Sequence, residues 1–163
     1  MTAVLHRKDA PKSVRCFVLT ISDTRTAATD TSGNAIAFTL ESAGHVVEGR
    51  QIVRDDPSAV QQAVKAASAE VVITTGGTGI TSRDGTYEAL SAMFDKTLDG
   101  FGELFRMLSY EQIGSAAMMS RACAGVIGRT AVFSLPGSEH AVRLAMEKLI
   151  IPEMGHIVRE LRR

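Results

Sequence analysis

The chain alternates short apolar runs with amphipathic stretches. Residues 14–21 (VRCFVLTI) are apolar and β-branched and end in Ser22, Asp23 and Thr24, which predicts a first strand. Residues 23–31 are polar and aperiodic, a loop. Ile36, Leu40 and Ala43 then recur at i, i+4 and i+7, with Phe38 to one side, predicting a helix capped by Ser32 or Asp30 and stopped by Gly44. Residues 46–53 (VVEGRQIV) alternate weakly and predict a second, more exposed strand. Pro57 suits a first helical position, so Asp56 is the natural N-cap of a helix over 57–68, with Val60, Ala63, Val64 and Ala67 as its buried stripe. Asp56 thus has a structural task, whereas Asp55 is left at the C-terminal end of a strand.

Residues 70–90 change character three times. Residues 71–75 are β-branched throughout, as in a strand covered on both faces. At Gly76, Gly77 and Gly79 the side chains vanish, so the backbone is free to take positive φ and turn N–H groups toward an anion. Thr78, Thr81 and Ser82 add hydroxyls, Arg83 and Asp84 set opposite charges side by side, and Thr86 with Glu88 reads as the cap and first turn of a helix opening at Tyr87. Strand, glycine loop and helix in that order mark where open α/β sheets bind ligands. The spacing is neither that of a P-loop nor that of a dinucleotide fold. A tight turn alone would need neither the Arg–Asp pair nor the hydroxyls.

Residues 89–94 complete that short helix, and residues 103–109 form another with Leu104, Phe105 and Leu108 apolar. Phe101, Phe105 and Leu108 are either core or a subunit surface. Residues 110–117 suggest a helical turn broken by Gly114. Two β-prone runs, 122–127 and 130–135, flank Gly128-Arg129, a type II′ hairpin signal. Pro136-Gly137-Ser138 then turns into a last helix carrying Ala141, Leu144, Ala145 and Leu149, which Pro152 kinks or restarts. The alternation favours a mostly parallel sheet with helices on both faces and one antiparallel hairpin.

The 163 residues suffice for a single domain, read as residues 14–163 behind a flexible arm at 1–13. With 18 basic and 18 acidic residues, no global field recruits nucleic acid or an anionic membrane, so an anionic substrate must be captured by local groups. Cys16 and Cys123 lie in apolar surroundings without a metal-ligand spacing and read as buried thiols of a cytoplasmic protein. No run approaches a membrane span. His6, His45, His140 and His156 are scattered, with no partner at triad or ligand spacing, and read as surface or cap residues rather than bases. Met107, Met118, Met119 and Met146 read as packing or subunit-contact material.

Five blocks then occur in order: DTSGN (30–34), TTGGTGITSRD (74–84), GFGELFRMLS (100–109), SRACAG (120–125) and LPGS (135–138). Together they resemble the MoaB/MogA family of molybdenum-cofactor biosynthesis proteins, relatives of the G domains of plant and animal molybdopterin-binding proteins. The resemblance implies a three-layer α/β/α sandwich that binds molybdopterin and, in active members, uses ATP with Mg²⁺ to adenylate its terminal phosphate. It assigns the two catalytic and metal-holding carboxylates to Asp55 and Asp84. It assigns the phosphate loop to Thr75, Gly76, Gly77, Thr78 and Gly79, with Thr81 and Ser82 beside it. Asp30, Ser32 and Gly33 match a second ligand-binding segment, and Pro136, Gly137 and Ser138 a third. Gly85 and Tyr87 depart from the family pattern, and Ser138-Glu139 fits the MoaB branch. A homotrimer or hexamer is implied. Beside the adenylyltransferase stands a carrier that binds molybdopterin without turnover, and beside both a nucleotide-processing enzyme like the related domain of competence-damage proteins. Arg83 is left with two equal options, a phosphate or a neighbouring acid.

Overall fold

The β-branched runs pair into one six-stranded sheet in a computed structural model that describes residues 7–163. The strands are β1 (Arg15–Ile21), β2 (Val46–Val53), β3 (Val71–Thr75), β4 (Lys96–Thr97), β5 (Cys123–Ile127) and β6 (Thr130–Leu135), in the order β2-β1-β3-β6-β5-β4. The first four in that order run parallel; β5 is antiparallel to β6, and β4 to β5. Register sets where the strands end. Ile21 lies opposite Val53, Thr20 opposite Thr75, and Thr75 opposite Leu135. The four parallel strands therefore stop level with one another, and the segments after them emerge along one edge.

Strand alternation divides the interior in two. Cys16, Val18, Val71, Ile73, Ala131, Phe133 and Leu135 face one core, while Leu19, Ile21, Val72 and Val132 face the other. β3 is buried along its whole length, as its unbroken β-branched run predicts. Helices α1 (Thr31–Ser42), α4 (Asp99–Ile113), α5 (Glu139–Ala145) and α6 (Ile151–Leu161) cover the first face, and α2 (Pro57–Ala66) and α3 (Thr86–Ser91) the second. This is the expected α/β/α arrangement, mostly parallel with an antiparallel hairpin. Burial pushes the Cys16 thiol up to about 12 and the Cys123 thiol up to about 11.

The differences from expectation have local causes. Helix α3 starts one residue early, with Gly85 as its N-cap; Thr86 is its first residue, its side chain turned inward against Gly77. Helix α4 begins at Asp99 rather than 103 because its two glycines are accommodated: a Cβ on Gly102 would lie 2.8 Å from the Ala122 carbonyl oxygen, so close packing overrides weak helix propensity. Phe101 and Phe105 are core residues, so of the two options for that segment the interior holds for them; the exposed apolar residues there are Leu104, Met107, Tyr110 and Ile113. The two-residue edge strand β4 has no sequence signal. Before Pro152 the last helix widens into a π-turn, Met146–Ile150, and continues through the proline. Of the expected N-terminal arm, residues 1–6, including His6, lie outside the described residues. Arg7 pairs with Glu153, and the Pro11 carbonyl oxygen lies 3.0 Å from where a Cβ on Gly155 would stand.

Candidate functional site at the strand ends

Leaving β3, the chain reverses through Gly76 and Gly77, with φ of 107° and 72°. A Cβ on Gly76 would lie 2.2 Å from the Ile21 carbonyl oxygen, and one on Gly77 would lie 2.0 Å from Thr86 Oγ1. Neither conformation nor space admits a side chain. The Gly76 N–H donates to the Leu135 carbonyl at 2.9 Å, extending the β3–β6 ladder by one residue, so that N–H serves the fold rather than a ligand.

Beside this bend lies a cup of about 80 Å³ lined by Thr20, Ile21, Ser22, Arg25, Ser32, Thr75, Gly76 and Gly137. Three segments far apart in sequence meet there. Thr75 Oγ1 lies 2.8 Å from the Pro136 carbonyl oxygen and 3.3 Å from Ser32 Oγ, tying the glycine loop to both other segments. Asp30 stands behind the cup, buried: it caps α1 through Gly33 N–H at 3.0 Å, accepts from Thr20 Oγ1 at 2.7 Å and faces Arg50 at 3.4 Å. A Cβ on Gly33 would collide with that carboxylate at 2.1 Å. Ser138 caps α5 through the Ala141 N–H at 3.2 Å. Thus Ser32, Thr75, Gly76 and Gly137 line the cup, and Asp30, Gly33, Pro136 and Ser138 shape it. Ser22 and Arg25 belong to no motif in the sequence; their place directly after β1, level with Gly76, is the signal that points to them.

The two acids flank the same bend. A Cβ on Gly77 would stand 3.3 Å from Asp55 Oδ2, and one on Gly79 would stand 2.8 Å from Asp84 Oδ2. Asp84 accepts from Thr81 N–H at 2.9 Å and Thr81 Oγ1 at 2.7 Å, and this hydroxyl bond above all holds its carboxyl below the usual carboxylate range. Thr81 therefore serves Asp84, while Thr78 is buried and Ser82 is exposed. Asp55 is the opposite case. Its Oδ1 is buried with no hydrogen-bond partner, and burial, joined by the charges of Asp84 and Asp23, pushes its carboxyl up against the opposing Gly85 N–H. Asp23 ties Asp55 to Arg83, the residue before Asp84: Oδ1 accepts the Asp55 N–H at 3.1 Å, and Oδ2 accepts from Arg83 at 2.7 Å. Of its two options, Arg83 takes the neighbouring acid.

Among the described residues no group of three or more His, Cys, Asp or Glu side chains forms a metal cluster. His45 Nδ1 accepts the Val14 N–H at 3.1 Å, His140 meets Gln112 at 2.6 Å and His156 meets Glu153 at 3.2 Å, so these rings serve the fold. What the edge offers is two oxygen donors, Asp55 and Asp84, beside a phosphate-sized cup. That suits a hard divalent cation which completes its shell with water and phosphate oxygens, as Mg²⁺ does, and the unpaired buried oxygen of Asp55 is the atom that asks for one.

Fold and edge together define an α/β/α domain whose glycine bend, flanked by acids, lies outside the carboxyl ends of parallel strands, the place where open α/β sheets bind ligands. Residues 17–156 match the family described as "Probable molybdopterin binding domain". The chain belongs to this family of molybdenum cofactor biosynthesis proteins, in its MoaB/MogA group. It is 58% identical over 168 residues to molybdenum cofactor biosynthesis protein B of Bacillus cereus, covering 100% of this chain and 99% of that one. A crystal structure of a molybdenum cofactor biosynthesis protein B superposes with a TM-score of 0.91 at 59% identity, over 95% of this chain and 99% of that one. The tungsten cofactor synthesizing protein MoaB from Pyrococcus furiosus superposes with a TM-score of 0.81 at 43% identity, over 94% and 100% of the two chains.

Proposed function

We propose that this protein binds molybdopterin and ATP and transfers AMP to the terminal phosphate of molybdopterin, releasing pyrophosphate. An oxygen of that phosphate attacks the α-phosphorus of ATP; a new P–O bond forms, the α–β bridging bond breaks, and its electron pair leaves with pyrophosphate. The attacking phosphate is ionised at neutral pH, so no general base is needed and no histidine at the edge is missed. The protein's task is positioning and charge neutralisation. Ser32, Thr75 and Gly137 shape the seat for a phosphoryl group, Arg25 supplies positive charge at its rim, and Thr81 orients Asp84. Asp55 and Asp84 would hold Mg²⁺, which when bound neutralises charge on the phosphate oxygens. The observation that carries this reading is the buried, unpaired oxygen of Asp55 beside a second carboxylate at the mouth of the glycine bend.

The test gives purified protein molybdopterin, ATP and Mg²⁺ and follows pyrophosphate. Release by the wild type that falls by about 10²-fold or more in Asp55→Asn and in Asp84→Asn supports turnover. Saturable molybdopterin binding without release identifies the carrier instead.

No helix among the described residues is long and apolar enough to cross a membrane, and a cytoplasmic location accords with the proposed substrates. Met107, Tyr110, Ile113, Met118 and Met119 form an exposed apolar region on α4 and the turn after it, which we propose seats further copies of the chain in a trimer or hexamer.

A further inference from the structure

The loop between β3 and α3 carries Asp84 and, past Gly76, belongs to no strand ladder or helix. Much of what fixes it comes from one residue far along the chain. Arg121, just before β5, donates its backbone N–H to the Thr78 carbonyl at 3.0 Å, its Nε to the Gly79 carbonyl at 2.9 Å and an Nη to the Asp84 carbonyl at 3.0 Å. Its remaining Nη pairs with Glu88, and its guanidinium lies 5.4 Å from the centre of the Tyr87 ring. The side chain is 27% exposed, and its bonds to the Gly79 and Asp84 carbonyls are part-buried. Arg121 binds the backbone at residue 84 and leaves the carboxylate to Thr81 and to whatever the carboxylate meets.

We propose that Arg121 is a positioning residue for the transfer: it presets the loop so that Asp84 faces Asp55 across the glycine bend before any ligand arrives. This rests on the adenylyl-transfer reading for its catalytic consequence and on the contacts above for the rest. A planar fork reaching carbonyls on both arms of a loop is a geometry that a single ammonium cannot reproduce, so lysine is not a conservative replacement here. Freed from the fork, the loop samples more conformations, and an acid misplaced by about 1 Å costs on the order of 10²-fold in rate.

The test compares wild type with Arg121→Lys and Arg121→Ala as full chains. Amide hydrogen exchange without ligand is read at residues 76–85, and kcat and KM for ATP are read from pyrophosphate release. Both variants are expected to exchange faster by about 10-fold or more in that loop, with β1 and β6 as protected as in wild type. They should lose kcat by about 10²-fold with KM changed by less than about 3-fold, lysine recovering little. Arg121→Lys, the milder change, carries the comparison should Arg121→Ala fail to fold. Unchanged loop protection in the variants overturns the proposal, and so does full recovery of kcat by lysine, which would reduce Arg121 to a charge. A wild type that releases no pyrophosphate overturns the adenylyl-transfer reading alone, because the exchange result still decides whether Arg121 holds the loop.

Discussion

Asp55 is a carboxylate held where its charge is poorly served. One oxygen is buried without a partner, and burial raises its affinity for a proton above that of the unfolded chain. Because the folded state binds this proton more tightly, stability is lost as pH rises through the interval between unfolded and folded pKa, and the loss is complete above it. Asp55→Asn is therefore expected to raise the ligand-free melting temperature at pH 7. The gain should vanish below about pH 3, where the wild-type carboxyl is protonated in both states. Scanning calorimetry at the two pH values checks both statements, and no gain at neutral pH would place the carboxylate in better-solvated surroundings. Asp55 is noticeable in the sequence because it follows a strand and has no capping role, and the family resemblance gives it a partner in Asp84. Asp23 and Arg25 are not noticeable that way, and Arg121, though it lies in the SRACAG block, has no spacing that shows what it reaches. Each acts through contacts across the sheet edge, and a side chain that reaches 37 residues along the chain, as Arg121 does to Asp84, leaves no local pattern.

At the scale of elements, the bend after β3 and the start of α3 are one unit. Thr86 N–H donates to the Gly77 carbonyl at 3.2 Å, while Thr86 Oγ1 fills the place a Gly77 side chain would need. Gly77→Ala is expected to cost about 2–3 kcal/mol in urea unfolding, from the left-handed backbone and the collision together. Thr86→Ala removes a buried hydroxyl that has no partner and should cost less. Combining the two should recover part of the Gly77→Ala loss, and a double-mutant cycle with no coupling would contradict the shared packing. Strands of strong periodicity were legible here, and so were the Asp56 cap and the hairpin at Gly128, because each rests on local propensity. The early start of α4 and the edge strand β4 were not, since both depend on partners supplied by β5 and the residue before it: the Ala122 carbonyl beside Gly102, and Val126 and Gly125 opposite Lys96 and Thr97.

At the scale of the whole molecule, the level ends of four parallel strands make the site, and the opposite charges cancel to a formal net of zero. Under the proposed reading, capture of an anionic substrate falls to Arg25 and to a cation held by Asp55 and Asp84, and not to a general field. The apolar residues on α4 and its following turn have no cover among the described residues; Met118 is 78% exposed. Light scattering is expected to give three or six times the chain mass, falling on Ile113→Glu with Met118→Glu, whereas a wild-type mass of one chain would leave that surface without the role proposed for it. Periodicity showed these residues as apolar without showing what covers them, for burial inside a chain and burial between chains use the same side chains.

The proposed convergence of Asp55 and Asp84 on one divalent cation is tested most directly by Mn²⁺ titration followed by electron paramagnetic resonance, with a non-hydrolysable ATP analogue present. One Mn²⁺ per chain is expected in the wild type, with affinity lower by about 10-fold or more in both Asp55→Asn and Asp84→Asn. Wild-type affinity in both variants would contradict the shared site.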